Sequence, residues 1–283
     1  MRDGDVDLYT FERLRAEFGP FNRDDATDGL GHAQRDLIGS RYREMLRELT
    51  KIVAYQWKEH VERSALKGFL FHGGVGVGKT AMAKRMTYEL CRLFGDNGKA
   101  DRRKDEVVMI LIDGGDIARG RYGDTEEQIH EIFKYARDGQ SGGHHRHDDD
   151  PKRRTIILFD DVESLFLTRD SSGAKEWHFS QNSIFFHSID ELDTAHTAIV
   201  LTTNRIDLLD EAIADRFLSY EFEVPPVTVL EQIAWDKGTF QRLAESELQP
   251  ILDIIRTGGA VKSIREIERM VMRAYVNKLL QVP

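Results

Sequence analysis

The chain has 283 residues, 40% hydrophobic and 31% charged, with 49 acidic against 40 basic side chains and a formal net charge of −9. That balance supports a real core in one large domain plus a small one, and it argues against a general nucleic-acid or anionic-membrane binder. The single cysteine, Cys91, excludes an internal disulfide and suits a reducing compartment; no apolar run reaches membrane-spanning length and residues 1–5 do not open a signal peptide, so a cytoplasmic protein is expected.

Residues 1–36 are polar with scattered aromatics (Tyr9, Phe11, Phe18, Phe21), and Pro20, Gly29 and Gly31 interrupt any long helix. An arm or linker is expected there, too small for an independent substrate-recognition domain. Residues 37–64 read as helix-rich, with Leu46, Leu49, Ile52, Val53 and Trp57 at the spacing of a core face. Phe69, Leu70 and Phe71 form a buried strand, and a helix starts at Ala81 and runs to about Phe94. Gly95 to Gly98 signal a loop, followed by the charged run 99–106.

The continuous apolar run 107–112 is typical of a central parallel strand. Residues 125–137 read as a helix with Ile129, Ile132 and Phe133 on one face, and 139–154 as a polar, low-complexity insert. Further strands are expected at 156–159, 198–201 and 220–224. Strands alternating with helices indicate a parallel α/β sheet. Pro225 and Pro226 mark a boundary, beyond which 229–235, 240–255 and 263–280 carry only helical patterns. The expected division is an arm or linker at 1–36, an α/β domain at 37–224 and a small all-helical domain at 225–283.

Between the first strand and its helix stand Gly73, Gly74, Val75, Gly76, Val77, Gly78, Lys79 and Thr80. Strand, glycine-rich loop and helix with the spacing G-x-x-x-x-G-K-T is the context of a P-loop. The glycines let backbone N–H groups from Gly74 to Ala81 turn toward phosphate oxygens, and the helix start adds its positive dipole end. Lys79 supplies a point charge for the β- and γ-phosphates and Thr80 a hydroxyl ligand for Mg²⁺. The strand 156–159 ends in Asp160 and Asp161, at the ligand-binding edge of such a sheet. Asp160 is placed to hold Mg²⁺, and Asp161 to polarise the attacking water.

Taken in order, these residues resemble the AAA ATPases of the AAA+ superfamily, over about residues 37 to 280. Gly123, Asp124, Thr125 and Glu126 stand for the family's G-E-S-E element, and Thr202, Thr203, Asn204 and Arg205 for its sensor motif. Residues 209–217 look like the region of the arginine finger. The resemblance implies a P-loop sheet followed by a helical lid, with ATP and Mg²⁺ as cofactors. It assigns Asn204 to the water or the γ-phosphate, and Arg216 to the γ-phosphate of a neighbouring subunit. A finger acting in trans implies a ring or spiral homo-oligomer, with a hexamer as the expected count. Ile38 and Gly39 fall at the adenine contact. Arg265 falls at the lid arginine that touches nucleotide, although an exposed helix-surface arginine fits that position equally well.

Two departures bear on activity. The family usually has glutamate after the first aspartate; Asp161 is shorter by one methylene, about 1.5 Å of reach. Slow hydrolysis or closer subunits would follow, which keeps open a nucleotide-gated assembly switch with little turnover. Glu163 reads as structural rather than as a substitute base. The pore-loop position holds Arg121, Tyr122 and Gly123 with Arg119 upstream. Tyr122 can grip a polypeptide, while the arginines suit either an acidic or nucleic-acid target or ion pairs within a ring. The run from His144 to Asp150 lacks the spacing of a closed metal site and reads as a solvated loop. The expected activity is ATP-driven remodelling of a protein substrate, with an effector partner such as a protease left open. A nucleic-acid motor or loader is the rival within enzymes, and no membrane is expected as a partner.

Overall fold

The computed structural model describes residues 7–18, 39–95, 107–115, 124–138, 153–164, 176–257 and 261–281. Its strands are β1 (Asp7–Tyr9), β2 (Gly68–Gly73), β3 (Val107–Asp113), β4 (Arg154–Asp160), β5 (Thr197–Thr203) and β6 (Phe217–Phe222). They form a six-stranded sheet in the order β1-β3-β4-β5-β2-β6. All pairings are parallel except that of β1, which runs antiparallel to β3. The helices are α1 (Phe11–Phe18), α2 (Ser40–Lys58), α3 (Lys79–Phe94), α4 (Asp124–Asp138), α5 (Glu176–Asp190), α6 (Glu211–Ala214), α7 (Val227–Phe240), α8 (Glu245–Arg256) and α9 (Ile264–Gln281).

The apolar strands carry no polar face because both faces are covered. Successive side chains of a strand point to opposite sides. Phe69, Phe71, Met109, Leu158 and Val200 accordingly join one cluster with Leu14 of α1, Leu49 and Trp57 of α2, and Met82 and Met86 of α3. Leu70, Ile110, Ile157, Phe159, Ile199 and Leu201 join a second with Ile129 and Ile132 of α4 and Phe185 and Ile189 of α5. A third cluster belongs to α7, α8, α9 and their connections, around Leu230, Ile233, Leu243, Leu248, Ile251, Leu252, Ile255, Ile267 and Val271. The fold is thus a three-layer, mostly parallel P-loop sheet, followed by a helical region with its own core.

Several elements differ from the sequence expectation. Residues 7–18, read as part of an arm, add an edge strand and a helix to the sheet. Phe11 stacks on Tyr88 of α3 at 5.9 Å between ring centroids, and the Arg13 guanidinium sits 3.6 Å from the Tyr9 ring centroid. α5 went unread. β6 begins at Phe217, three residues before the expected strand, because its register follows β2 from Gly68 onward. The expected helix 240–255 is broken: Arg242 takes a left-handed φ of 54°, separating α7 from α8.

Parallel pairing brings the C-terminal ends of β2, β4 and β5 to one edge, side by side in the order β4, β5, β2. The P-loop leaves β2 there, Asp160 closes β4, and Thr202 and Thr203 end β5.

Candidate active site

The loop between β2 and α3 turns on three left-handed glycines, with φ of 137° at Gly73, 73° at Gly76 and 102° at Gly78. Gly76 is required twice over. Its φ disfavours any side chain, and a Cβ there would lie 2.9 Å from Cβ of Arg265 and 3.2 Å from Ser263. The contact is close because α9 begins on this loop: the N–H groups of Ile264 and Arg265 donate to the Gly76 carbonyl at 3.0 and 3.3 Å. Those are N–H groups of the first helical turn, which have no partner within their own helix. The Tyr42 hydroxyl donates to the Val77 carbonyl at 3.4 Å and to the Glu223 carbonyl at 3.1 Å, tying α2 to the same loop. The sequence reading does not single out Tyr42, whose hydroxyl carries no motif.

Lys79 is only 6% exposed. Its ammonium donates to the carbonyls of Gly73 (2.9 Å) and Gly74 (2.8 Å) and to Oδ1 of Asn204 (2.7 Å). Three neutral oxygens therefore hold a buried cation. Burial lowers its pKa, which Asp161, Asp160 and Glu163 oppose and Arg265 reinforces. A buried positive charge among turned backbone groups suits a polyphosphate.

The carboxylate of Asp160 receives two hydroxyls. Thr80 donates to its Oδ1 at 2.9 Å and its Oδ2 at 3.0 Å, and Thr202 makes a short hydrogen bond to Oδ1. A hydroxyl and a carboxylate facing each other are hard oxygen donors of the kind Mg²⁺ takes, so the residues present fit that ion. Asp161 lies next along, at a left-handed φ of 54° unusual for a residue with a side chain. Its N–H donates to the Thr202 hydroxyl at 3.1 Å, and its Oδ1 accepts from Nδ2 of Asn204 at 2.9 Å. Burial raises the pKa of Asp161, with further upward pushes from Asp160 and Glu163.

Asn204 is the hinge of this cluster. Its amide oxygen meets Lys79, while its NH₂ meets Asp161 and, at 3.3 Å, Oε1 of Glu163. Its backbone N–H also donates to that Glu163 oxygen at 3.4 Å. Glu163, read as structural, thus fixes which way the Asn204 amide faces. Its other oxygen, Oε2, is buried with no hydrogen-bond partner among the described residues.

The remaining site residues lie apart from this cluster or outside the described residues. Gly39, with φ of 101°, opens α2, where a Cβ would meet Val229 of α7 at 3.3 Å; Ile38 lies outside the described residues. So do Arg119, Arg121, Tyr122, Gly123 and the run from His144 to Asp150. Arg205 is engaged by Asp207 at 2.8 Å. Arg216 precedes β6, whose first residue, Phe217, pairs with Gly68 at the start of β2, while Phe222 pairs with Gly73 at the P-loop. Five residue steps of strand put it about 17 Å from its own phosphate edge, at the opposite end of the sheet. There its guanidinium makes a two-point ion pair with Asp190, Nε to Oδ1 at 3.0 Å and NH2 to Oδ2 at 3.2 Å. It also donates to the Ala212 carbonyl at 2.9 Å and stacks 4.9 Å from the Phe186 ring centroid.

Among the described residues no three His, Cys, Asp or Glu side chains are grouped to hold a metal by themselves, and no helix is long and apolar enough to cross a membrane.

Residues 69–224 match the model of the ATPase family associated with various cellular activities (AAA). Among curated proteins, the chain is 30% identical over 158 residues to a proteasome-associated ATPase of Jonesia denitrificans, covering 56% of this chain and 27% of that protein. It is 32% identical over 148 residues to an AAA ATPase forming ring-shaped complexes from Corynebacterium efficiens, covering 52% of this chain and 25% of that one. The chain therefore spans about a quarter of the length of these relatives. Among solved structures, the AAA domain of FIGL-1 in complex with ADP superposes with a TM-score of 0.61 over 88% of this chain and 74% of that one, at 18% identity.

Proposed function

The chain belongs to the AAA family of ATPases, and from that premise we propose that it hydrolyses ATP at interfaces between its own copies and uses the cycle to remodel or translocate a protein. The observation that carries the reading is the position of Asn204, which joins the P-loop lysine to the carboxylate of Asp161 at the edge where Thr80 faces Asp160. Each residue has a task there. The loop N–H groups and Lys79 bind the phosphates, and Thr80 and Asp160 are the residues that would hold Mg²⁺. That ion, when bound, draws charge from the phosphate oxygens. Asp161 takes a proton from the attacking water, which Asn204 orients.

Arg216 completes the site of a neighbour. It stands a strand length from its own P-loop, so a ring or spiral of copies gives its charge a γ-phosphate to meet. α9, seated on Gly76 through Ile264 and Arg265, couples the loop to the helical region, and its displacement on turnover would move that region. The ring-forming relative supports the assembly, and the proteasome-associated relative supports a protein substrate. A cytoplasmic setting agrees with the lone, buried cysteine.

Phosphate release by the wild type and Asp161→Asn tests this reading. The substitution should lower turnover by about 10²- to 10⁴-fold, the usual worth of a positioned base, with ATP affinity within a few-fold of wild type. A wild-type chain that binds ATP tightly, assembles with it and releases no phosphate would instead establish the assembly switch that the short Asp161 side chain favours. Stimulation by nucleic acid and not by unfolded protein would establish the motor.

A further inference from the structure

We propose that Thr202 is a positioning residue that sets both acidic groups of the site with one hydroxyl, holding the Asp160 carboxylate by donating to it and holding the Asp161 backbone by accepting from it. The inference rests on the site being a magnesium-dependent nucleotide site. Thr202 is fully buried at the end of β5, the strand between the one that carries the aspartates and the one that leads into the P-loop. Its Oγ1 donates to Oδ1 of Asp160 and accepts the Asp161 N–H at 3.1 Å. One oxygen thereby uses its donor and an acceptor site on two adjacent residues.

Both bonds have a consequence for geometry. Thr80 also donates to Asp160, through the hydroxyl assigned to Mg²⁺. With that hydroxyl given over to an ion, Thr202 would still anchor the carboxylate. At Asp161 the backbone sits at a φ of 54°, a left-handed conformation that a residue with a side chain keeps when its surroundings hold it. The bond from its N–H to Thr202 is such a hold, and it sets the direction in which the short carboxylate leaves the chain. The neighbouring Thr203 does neither: its hydroxyl accepts the Arg205 N–H at 3.0 Å.

The test uses the full chain with Thr202→Val, which keeps the shape and removes the hydroxyl, and Thr202→Ser, which keeps the hydroxyl and removes the methyl. Readouts are kcat and KM for ATP, ATP affinity with Mg²⁺ and with EDTA, and amide exchange of the segment spanning Asp160 and Asp161 in nucleotide-free protein. Thr202→Val should lower kcat about 10- to 100-fold, the usual range for groups that orient metal ligands. It should raise the Mg²⁺ needed for half-maximal ATP binding several-fold, leave affinity in EDTA within about two-fold, and speed exchange at Asp161. Thr202→Ser should recover most of each. Wild-type kcat, Mg²⁺ requirement and exchange in Thr202→Val would overturn the assignment, and so would a serine variant as impaired as the valine. If Thr202→Val does not fold, Thr202→Ala takes its place under the same criteria. A wild type without phosphate release would remove the hydrolytic reading, yet the Mg²⁺ and exchange readouts would still decide the role of Thr202.

Discussion

The two ends of the parallel sheet use charge in opposite ways. At the C-terminal edge the cation Lys79 is buried, and its hydrogen bonds among the described residues go to neutral oxygens, while carboxylates stand one partner away across Asn204. At the N-terminal edge Arg216 is partly exposed and directly paired to Asp190, with the Lys67 ammonium donating to the Asp190 carbonyl at 3.3 Å. The first arrangement leaves positive charge to be met by a ligand; the second is a self-satisfied ion pair that a ligand or a neighbour must compete for. Under the proposed function, a site that needs both edges would draw them from two copies of the chain.

Three perturbations sharpen or break that contrast. The largest effect belongs to Arg216→Ala, which should cut phosphate release by about 10³- to 10⁵-fold with ATP affinity unchanged. Mixed with Lys79→Ala subunits it should regain part of the activity; no recovery at any ratio would break the division of the site between copies. Next comes Gly76→Ala, confined to the C-terminal edge. The strained φ and the contact with Arg265 predict a cost of about 1–3 kcal/mol, read as a lower Tm and weaker ATP binding, with the Arg216 edge untouched.

The smallest effect is that of Asp190→Asn at the other edge. A partly exposed ion pair is worth about 0–1 kcal/mol, so Tm near neutral pH should fall by only a few degrees. Arg216 holds the Asp190 carboxyl below the ordinary aspartate range. A depressed carboxyl contributes stability above its unfolded pKa and loses it as pH falls through the folded one. The gap between wild type and Asp190→Asn should thus be full at neutral pH and close below about pH 4. A gap that widened in acid would remove the pair as its cause.

Much of the fold was legible where the chain is buried on both faces. Residues 107–112 and 156–159 read as strands because a strand covered on two sides has no polar alternation to lose. The P-loop was legible because its spacing is local. β1 and α1 were not, since eight residues of helix are marginal alone and α1 holds through Phe11 and Phe18 against Tyr88 of another helix. α5 hid because Phe185 and Phe186 are adjacent, and its serines and asparagine weaken the helical signal. The split between α7 and α8 rests on a left-handed arginine, a residue type that announces no turn.

The sequence by itself determined the chemical inventory: the glycine loop with Lys79 and Thr80, the paired aspartates at a strand end, and the polar end of the next strand. These are properties of neighbours along the chain. Only the tertiary structure decided which of them meet. Lys79 reaches Asn204 across 125 residues, Thr202 reaches Asp160 across 42, and Arg216 finds Asp190 across 26. Hydrophobic periodicity states that a segment is a buried strand but not which strand lies beside it; that is set when the sheet closes in the order β4, β5, β2 and brings three strand ends to one edge.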